Sequence, residues 1–98
     1  MKLKVQSIHF DADQKLIAFI EERVDKLIRF YEDIIDGEVF MKLDKSQSQE
    51  NKITEIKLNT KGKLLFAKEQ SKSFEESTDT AVEALRKQII KHKEKTRG

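Results

Sequence analysis

The sequence has no cysteine, no proline and no tryptophan, and only three glycines and one tyrosine. Without cysteine there is no disulfide framework, no thiolate nucleophile and no cysteine metal site, which is compatible with a reducing cytoplasm. Without proline, and with so little glycine, no stretch has the composition of a linker, and neither a domain boundary nor an internal repeat is visible. No run approaches the ~18–20 apolar residues needed to cross a bilayer. The opening MKLKVQSIHF lacks the apolar centre of a signal peptide. The expectation is a single soluble, cytoplasmic domain over residues 1–98, large enough for one modest core.

What the chain does have is charge. Charged residues make up 39% of it and hydrophobic residues 37%, yet the formal net charge is only +2. Any attraction for a polyanion must therefore come from how charge is distributed. The last 26 residues, Ser73 to Gly98, show that distribution best. Phe74, Thr78, Ala81, Val82, Leu85 and Ile89 recur at spacings of three and four, the period of a helix with one buried stripe. Ser73 and Glu76 form a capping-box pair at its start. A helix from there to about Lys95 would be on the order of 35 Å long. From Glu75 to Glu83 there are four acids and no base; from Arg86 to Arg97 there are six bases against Glu94 alone. Acids at a helix N-terminus and bases at its C-terminus favour the macrodipole, but that effect fades within a turn. Here the basic end continues for about three turns. Arg86, Lys93 and Arg97 fall on one flank of the apolar stripe, and Lys87, Lys91 and Lys95 on the other. The residues alone leave two readings of this end: a polyanion-binding surface or a solvated helix terminus.

The rest of the chain reads as a scaffold. Residues 2–8 alternate as a short strand that ends or bulges where Ile8 and Phe10 change phase. Asp13 caps a helix from Gln14 to about Asp33 carrying Leu16, Ile17, Ile20, Val24, Leu27, Ile28 and Tyr31. Beside that stripe lie Phe19, Arg23, Lys26 and Phe30. Two bases between two rings could cradle a phosphate or a base; for the rings, widening of the core face is the favoured reading, while the bases stay open between binding and snorkelling at its edge. Asp36-Gly37 reads as a break, followed by a strand from Glu38 to Asp44, a polar loop from Lys45 to Asn51, and a strand from Ile53 to Thr60. Lys61-Gly62-Lys63 reads as a hairpin turn and Leu64 to Glu69 as a last strand. The order β-α-β-β-β-α implies an α+β two-layer sandwich, a four-stranded mixed sheet with both helices packed on one face. Lys2, Lys4, Lys42 and Lys57, with Phe40, Leu64 and Phe66, then share the opposite face, where exposed apolar groups would mark a contact; a strand phase shifted by one residue fits the pattern equally.

Catalysis finds little support. His9 and His92 are far apart, and His92 lies on the apolar side of the last helix, where a packed imidazole is expected. Glu21-Glu22, Glu32-Asp33 and Glu75-Glu76 are helical neighbours that project about 100° apart and read as solvated surface. Asp11 and Asp13 would hold a cation only weakly, and capping already accounts for Asp13. There is no phosphate-binding glycine loop, metal-ligand spacing or nucleophile motif, so neither an enzyme, a cofactor, a metal nor a small-molecule substrate is expected. An RNA-binding module that recognises shape and backbone fits better, with a protein-interaction module as its rival.

Three stretches, taken together, carry a resemblance. They are LIAFIEERVDKLIRFYEDI from Leu16 to Ile34, VFMKL from Val39 to Leu43, and DTAVEALRKQIIKHKEK from Asp79 to Lys95. In this order and spacing the chain resembles the ribosome hibernation-promoting factors, also called ribosome-associated inhibitor A or sigma-54 modulation proteins, from about Val5 to Arg97. The resemblance implies the same fold and a partner, the small ribosomal subunit, bound over the decoding region in stationary phase or stress. There such a protein would compete with mRNA and with A- and P-site tRNA, and so block translation. It also implies which bases meet rRNA phosphates: Lys87, Lys91 and Lys95 foremost, Lys93 from the other flank, and Arg23 and Lys26 as a second patch; Arg86, an extra base just beside the motif, would serve with Lys93. A general double-stranded RNA binder, or a protein-interaction domain without a ribosomal site, is the alternative. Glu75 stands where many relatives have an aromatic and Thr78 where they have an apolar residue, which predicts looser packing at the start of the last helix. Because the sequence stops at Gly98, the resemblance is to short family members, without the C-terminal domain by which long ones pair ribosomes.

Overall fold

Two edge strands and two centre strands set the geometry. A computed structural model describes residues 3–45 and 49–97, with side chains through residue 93. The elements are β1 (Leu3–Ser7), α1 (Gln14–Phe30), β2 (Ile34–Leu43), β3 (Lys52–Thr60), β4 (Lys63–Ser71) and α2 (Phe74–Arg97). Their order in the sheet is β1-β2-β3-β4. β1 runs parallel to β2 because α1 carries the chain back across the sheet. The other two pairs are antiparallel, with Val39 opposite Ile56 and Ile56 opposite Ala67. This is the α+β sandwich that the residue pattern predicts.

One face of the sheet is dry. Val39, Met41, Ile56, Leu58 and Leu65 are at most 1% exposed and meet Ile20, Val24 and Leu27 of α1 and Ala81, Leu85 and Ile89 of α2. The other face carries the opposite parity, which decides between the two strand phases the residue pattern allows: Leu64 is 54% and Phe66 41% exposed. On it the Lys57 ammonium lies 5.5 Å from the centre of the Phe40 ring, and Lys42 pairs with Glu55 at 2.7 Å. Lys4 is exposed there too; Lys2 lies outside the described residues.

Local signals place most of the boundaries. Asp13 Oδ1 accepts from the Lys15 N–H at the start of α1, and Ser73 Oγ accepts from the Glu76 N–H at the start of α2. Lys61-Gly62 is a two-residue hairpin turn with Gly62 at φ +91°. The β2–β3 connection is drawn together by Gln70, which donates to Asp44 and to the Glu50 carbonyl; residues 46–48 of the expected loop lie outside the described residues.

Three expectations are corrected. First, α1 stops at Phe30, not Asp33. Tyr31 is extended (φ −131°, ψ 106°) and only 4% exposed; a turn closed by Ile34 N–H to the Tyr31 carbonyl leads straight into β2. Second, Asp36-Gly37 is no break. It lies inside β2, after a register shift between Ile34 and Asp36. Gly37 is needed for space: a Cβ there would stand 2.8 Å from Leu58 Cδ2 and 3.3 Å from Leu3 Cδ1. Third, the start of α2 is not loose. Thr78 is fully buried together with Ser77 and Thr54, with Thr54 Oγ1 2.6 Å from Ser77 Oγ and 3.4 Å from Thr78 Oγ1. Stacking of Phe10 on Phe74, with ring centres 5.2 Å apart, closes the same end.

Candidate nucleic-acid interface

The basic half of α2 separates into two flanks, as its residue spacing predicts. Lys87 and Lys91 are exposed on the β4 side, around Gln88 and Ile90. Gln88 donates to the Phe66 carbonyl on edge strand β4 at 3.0 Å, which ties this flank to the sheet and covers part of a free strand edge. Neither Lys87 nor Lys91 has an ion-pair partner among the described residues. Arg86 and Lys93 lie on the opposite flank, facing α1. The Arg86 guanidinium stands 6.0 Å and the Lys93 ammonium 5.2 Å from the centre of the Phe30 ring; Lys93 is also 4.9 Å from that of Tyr31. The side chains of Lys95 and Arg97 lie outside the described residues.

The first-helix patch joins this second flank. Between α1 and α2 runs a shallow groove of about 270 Å³ bordered by Arg23, Lys26, Phe30, Val82, Glu83 and Arg86. Each of its bases already has an acid nearby. Arg23 Nε is 3.3 Å from Asp79 Oδ1 but has no hydrogen bond, so the contact is ionic and not directional. Its guanidinium also lies 4.7 Å from the Phe19 ring centre. Lys26 pairs with Glu22 at 3.5 Å and Arg86 with Glu83 at 3.8 Å. The i,i+4 and i,i+3 pairs are legible in sequence; the Arg23–Asp79 pair is not, because it needs the two helices side by side. Phe19 packs on the edge of the core, as expected. Phe30 does not: it is 52% exposed, and no residue pattern distinguishes it from Phe19.

Next to Phe30 a second depression, of about 320 Å³, is bordered by Arg29, Tyr31, Glu32, Asp33 and Lys93. Here the Tyr31 hydroxyl is raised above its ordinary pKa of 10.0, by burial first and then by the Asp33 carboxylate, both through its charge and as a hydrogen-bond acceptor. His92 lies edge-on to Tyr31, with ring centres 6.4 Å apart, in the packed position expected of it. His9, for which the sequence suggests no role, is exposed with φ +63° in the link after β1. Among the described residues no three His, Asp or Glu side chains could together hold a metal ion, and no helix is long and apolar enough to cross a membrane.

Over residues 3–97 the chain matches the family described as sigma 54 modulation protein / S30EA ribosomal protein. The chain belongs to this family. A curated relative, the ribosome hibernation promoting factor of Azotobacter vinelandii, is 25% identical over 95 residues, covering 97% of this chain and 85% of that protein. Two solved structures share the S30EA family chain's fold. The Protein Y N-terminal domain of Thermus thermophilus superposes with a TM-score of 0.78 at 18% identity, over 94% of this chain and 99% of that one. A ribosomal subunit interface protein from Coxiella burnetii superposes with a TM-score of 0.82 at 16% identity, over 95% and 98%.

Proposed function

We propose that the protein is a non-enzymatic hibernation factor, a single ribosome-binding domain that docks on the small ribosomal subunit across the decoding region in the cytoplasm. It excludes mRNA and the A- and P-site tRNAs and holds translation idle in stationary phase or stress. Family membership over residues 3–97 and the name of the curated relative support the ribosome as partner. The observation that carries the mode of binding is the flank of α2 where Lys87 and Lys91, a turn apart, stand exposed without a described acid to neutralise them. Lys87, Lys91 and Lys95 make the leading phosphate contacts. Arg86 and Lys93 add contacts from the α1 side, and Arg23 and Lys26 form the second patch. The acids beside that patch do not forbid this. Exposed ion pairs are worth about 0–1 kcal/mol, so exchanging Asp79 or Glu22 for a phosphate costs little. All these contacts position the protein without reading sequence.

Sedimentation with purified small subunits tests the reading. Binding should be lost when tRNA fills the A and P sites, and the slope of log K against log salt should be about −3 to −5 if four to six phosphates are engaged. Equal binding to any RNA duplex, undisturbed by tRNA, would instead establish a general polyanion binder. Changing Lys87, Lys91 and Lys95 together to Glu should abolish association while leaving the unfolding midpoint close to wild type, because these positions face solvent or follow the last core residue. Normal inhibition of translation by that variant would overturn the site.

A further inference from the structure

Phe30 is the feature that docking by charge alone does not use. An aromatic ring that is 52% exposed at the end of a helix loses the benefit of burial. This one sits with two cations close to it, Arg86 at 6.0 Å and Lys93 at 5.2 Å from its centre. It also divides two differently charged depressions. The α1–α2 groove on one side carries Arg23, Lys26 and Arg86 against Glu83, a surplus of positive charge that suits phosphate. The depression on the other side carries Glu32 and Asp33 beside Arg29 and Lys93. There two bases offset two acids, so a phosphate meets no positive surplus, whereas a carboxylate accepts hydrogen bonds from the exocyclic amine of a base.

From this arrangement we infer that Phe30 is a stacking platform for one unpaired nucleobase of RNA. The base lies on the ring over the Glu32–Asp33 side, while its flanking phosphates run along the Arg23, Lys26 and Arg86 groove. Lys93 and Arg86 are long and flexible enough to leave one ring face to the base and turn toward those phosphates. Stacking is indifferent to base identity, but the two carboxylates favour a base with an amine, so cytosine is preferred to uracil. The inference rests on the RNA-binding reading above and adds to it a contact with a base.

The test uses the full chain and a single-stranded RNA oligomer carrying one fluorescent adenine analogue, with the corresponding RNA duplex and small subunits alongside. Wild type should quench the analogue in the single strand and not in the duplex. Phe30→Ala should weaken single-strand binding on the order of ten-fold and abolish the quenching, with the salt slope unchanged, since no phosphate contact is removed. Phe30→Trp should keep both affinity and quenching. Wild-type affinity and quenching in Phe30→Ala would overturn the inference while leaving phosphate docking intact. A reduced salt slope in Phe30→Ala would also overturn it, because the ring would then act only by holding Arg86 and Lys93 in place. Failure of wild type to bind any RNA would defeat the proposed function itself, and this inference with it.

Discussion

Thr54, Ser77 and Thr78 show how a single position departs from what its neighbours in sequence imply. Read along the helix, Thr78 is a polar residue on an apolar stripe. In the fold it is one of three hydroxyls, all inaccessible to solvent, that bridge β3 to the start of α2. Ser77 also donates to the Phe74 carbonyl. Removing one member leaves a buried hydroxyl without its partner, which costs about 1–3 kcal/mol, whereas removing two together costs less than the sum. Thr54→Val should therefore lower the urea midpoint, and Thr54→Val with Thr78→Val should lower it by less than the two single changes added. Tyr31 makes a second prediction. Its hydroxyl is held above the ordinary value, so the fold favours the neutral phenol. That contribution is complete below the unfolded-state value near pH 10 and is lost as pH rises through the higher folded-state value. Wild type should lose stability more steeply than Tyr31→Phe across that alkaline range. Parallel denaturation curves for the two would count against the assignment.

At the scale of elements, periodicity located every helix and strand, and the errors lie at their ends. The pattern of α1 runs on to Tyr31 because that side chain does enter the core, but its backbone is already extended. A side-chain period cannot report where the backbone turns from helix to strand when the same core continues beyond. Gly37 misleads for a different reason. Glycine after aspartate usually signals a turn, yet here it sits in mid-strand between Leu3 and Leu58, at a point where any Cβ would collide. Gly37→Ala should destabilise the domain by about 1–3 kcal/mol through overpacking. Adding Leu58→Val, which removes the colliding Cδ2, should combine less than additively in thermal unfolding.

At the scale of the molecule, the sheet serves as a base that holds α2 against α1. This pairing gives the charges their meaning. The acids in the first half of α2 do more than favour its dipole: Asp79 meets Arg23 across the groove, and Glu83 stands beside Arg86. The bases facing α1 are thus partly balanced within the molecule, while Lys87 and Lys91 on the far flank meet no acid among the described residues. Element order, the buried stripe of each helix and the polarity of α2 follow from side-chain period and charge order along one chain and were legible there, whereas the residue pattern left open which face of each strand is dry. Which bases meet acids, that Gly37 sits at a tight crossing and that Phe30 is left open emerge once the elements pack. Each depends on how far apart residues of different elements stand once the core has closed, a distance that no local pattern encodes.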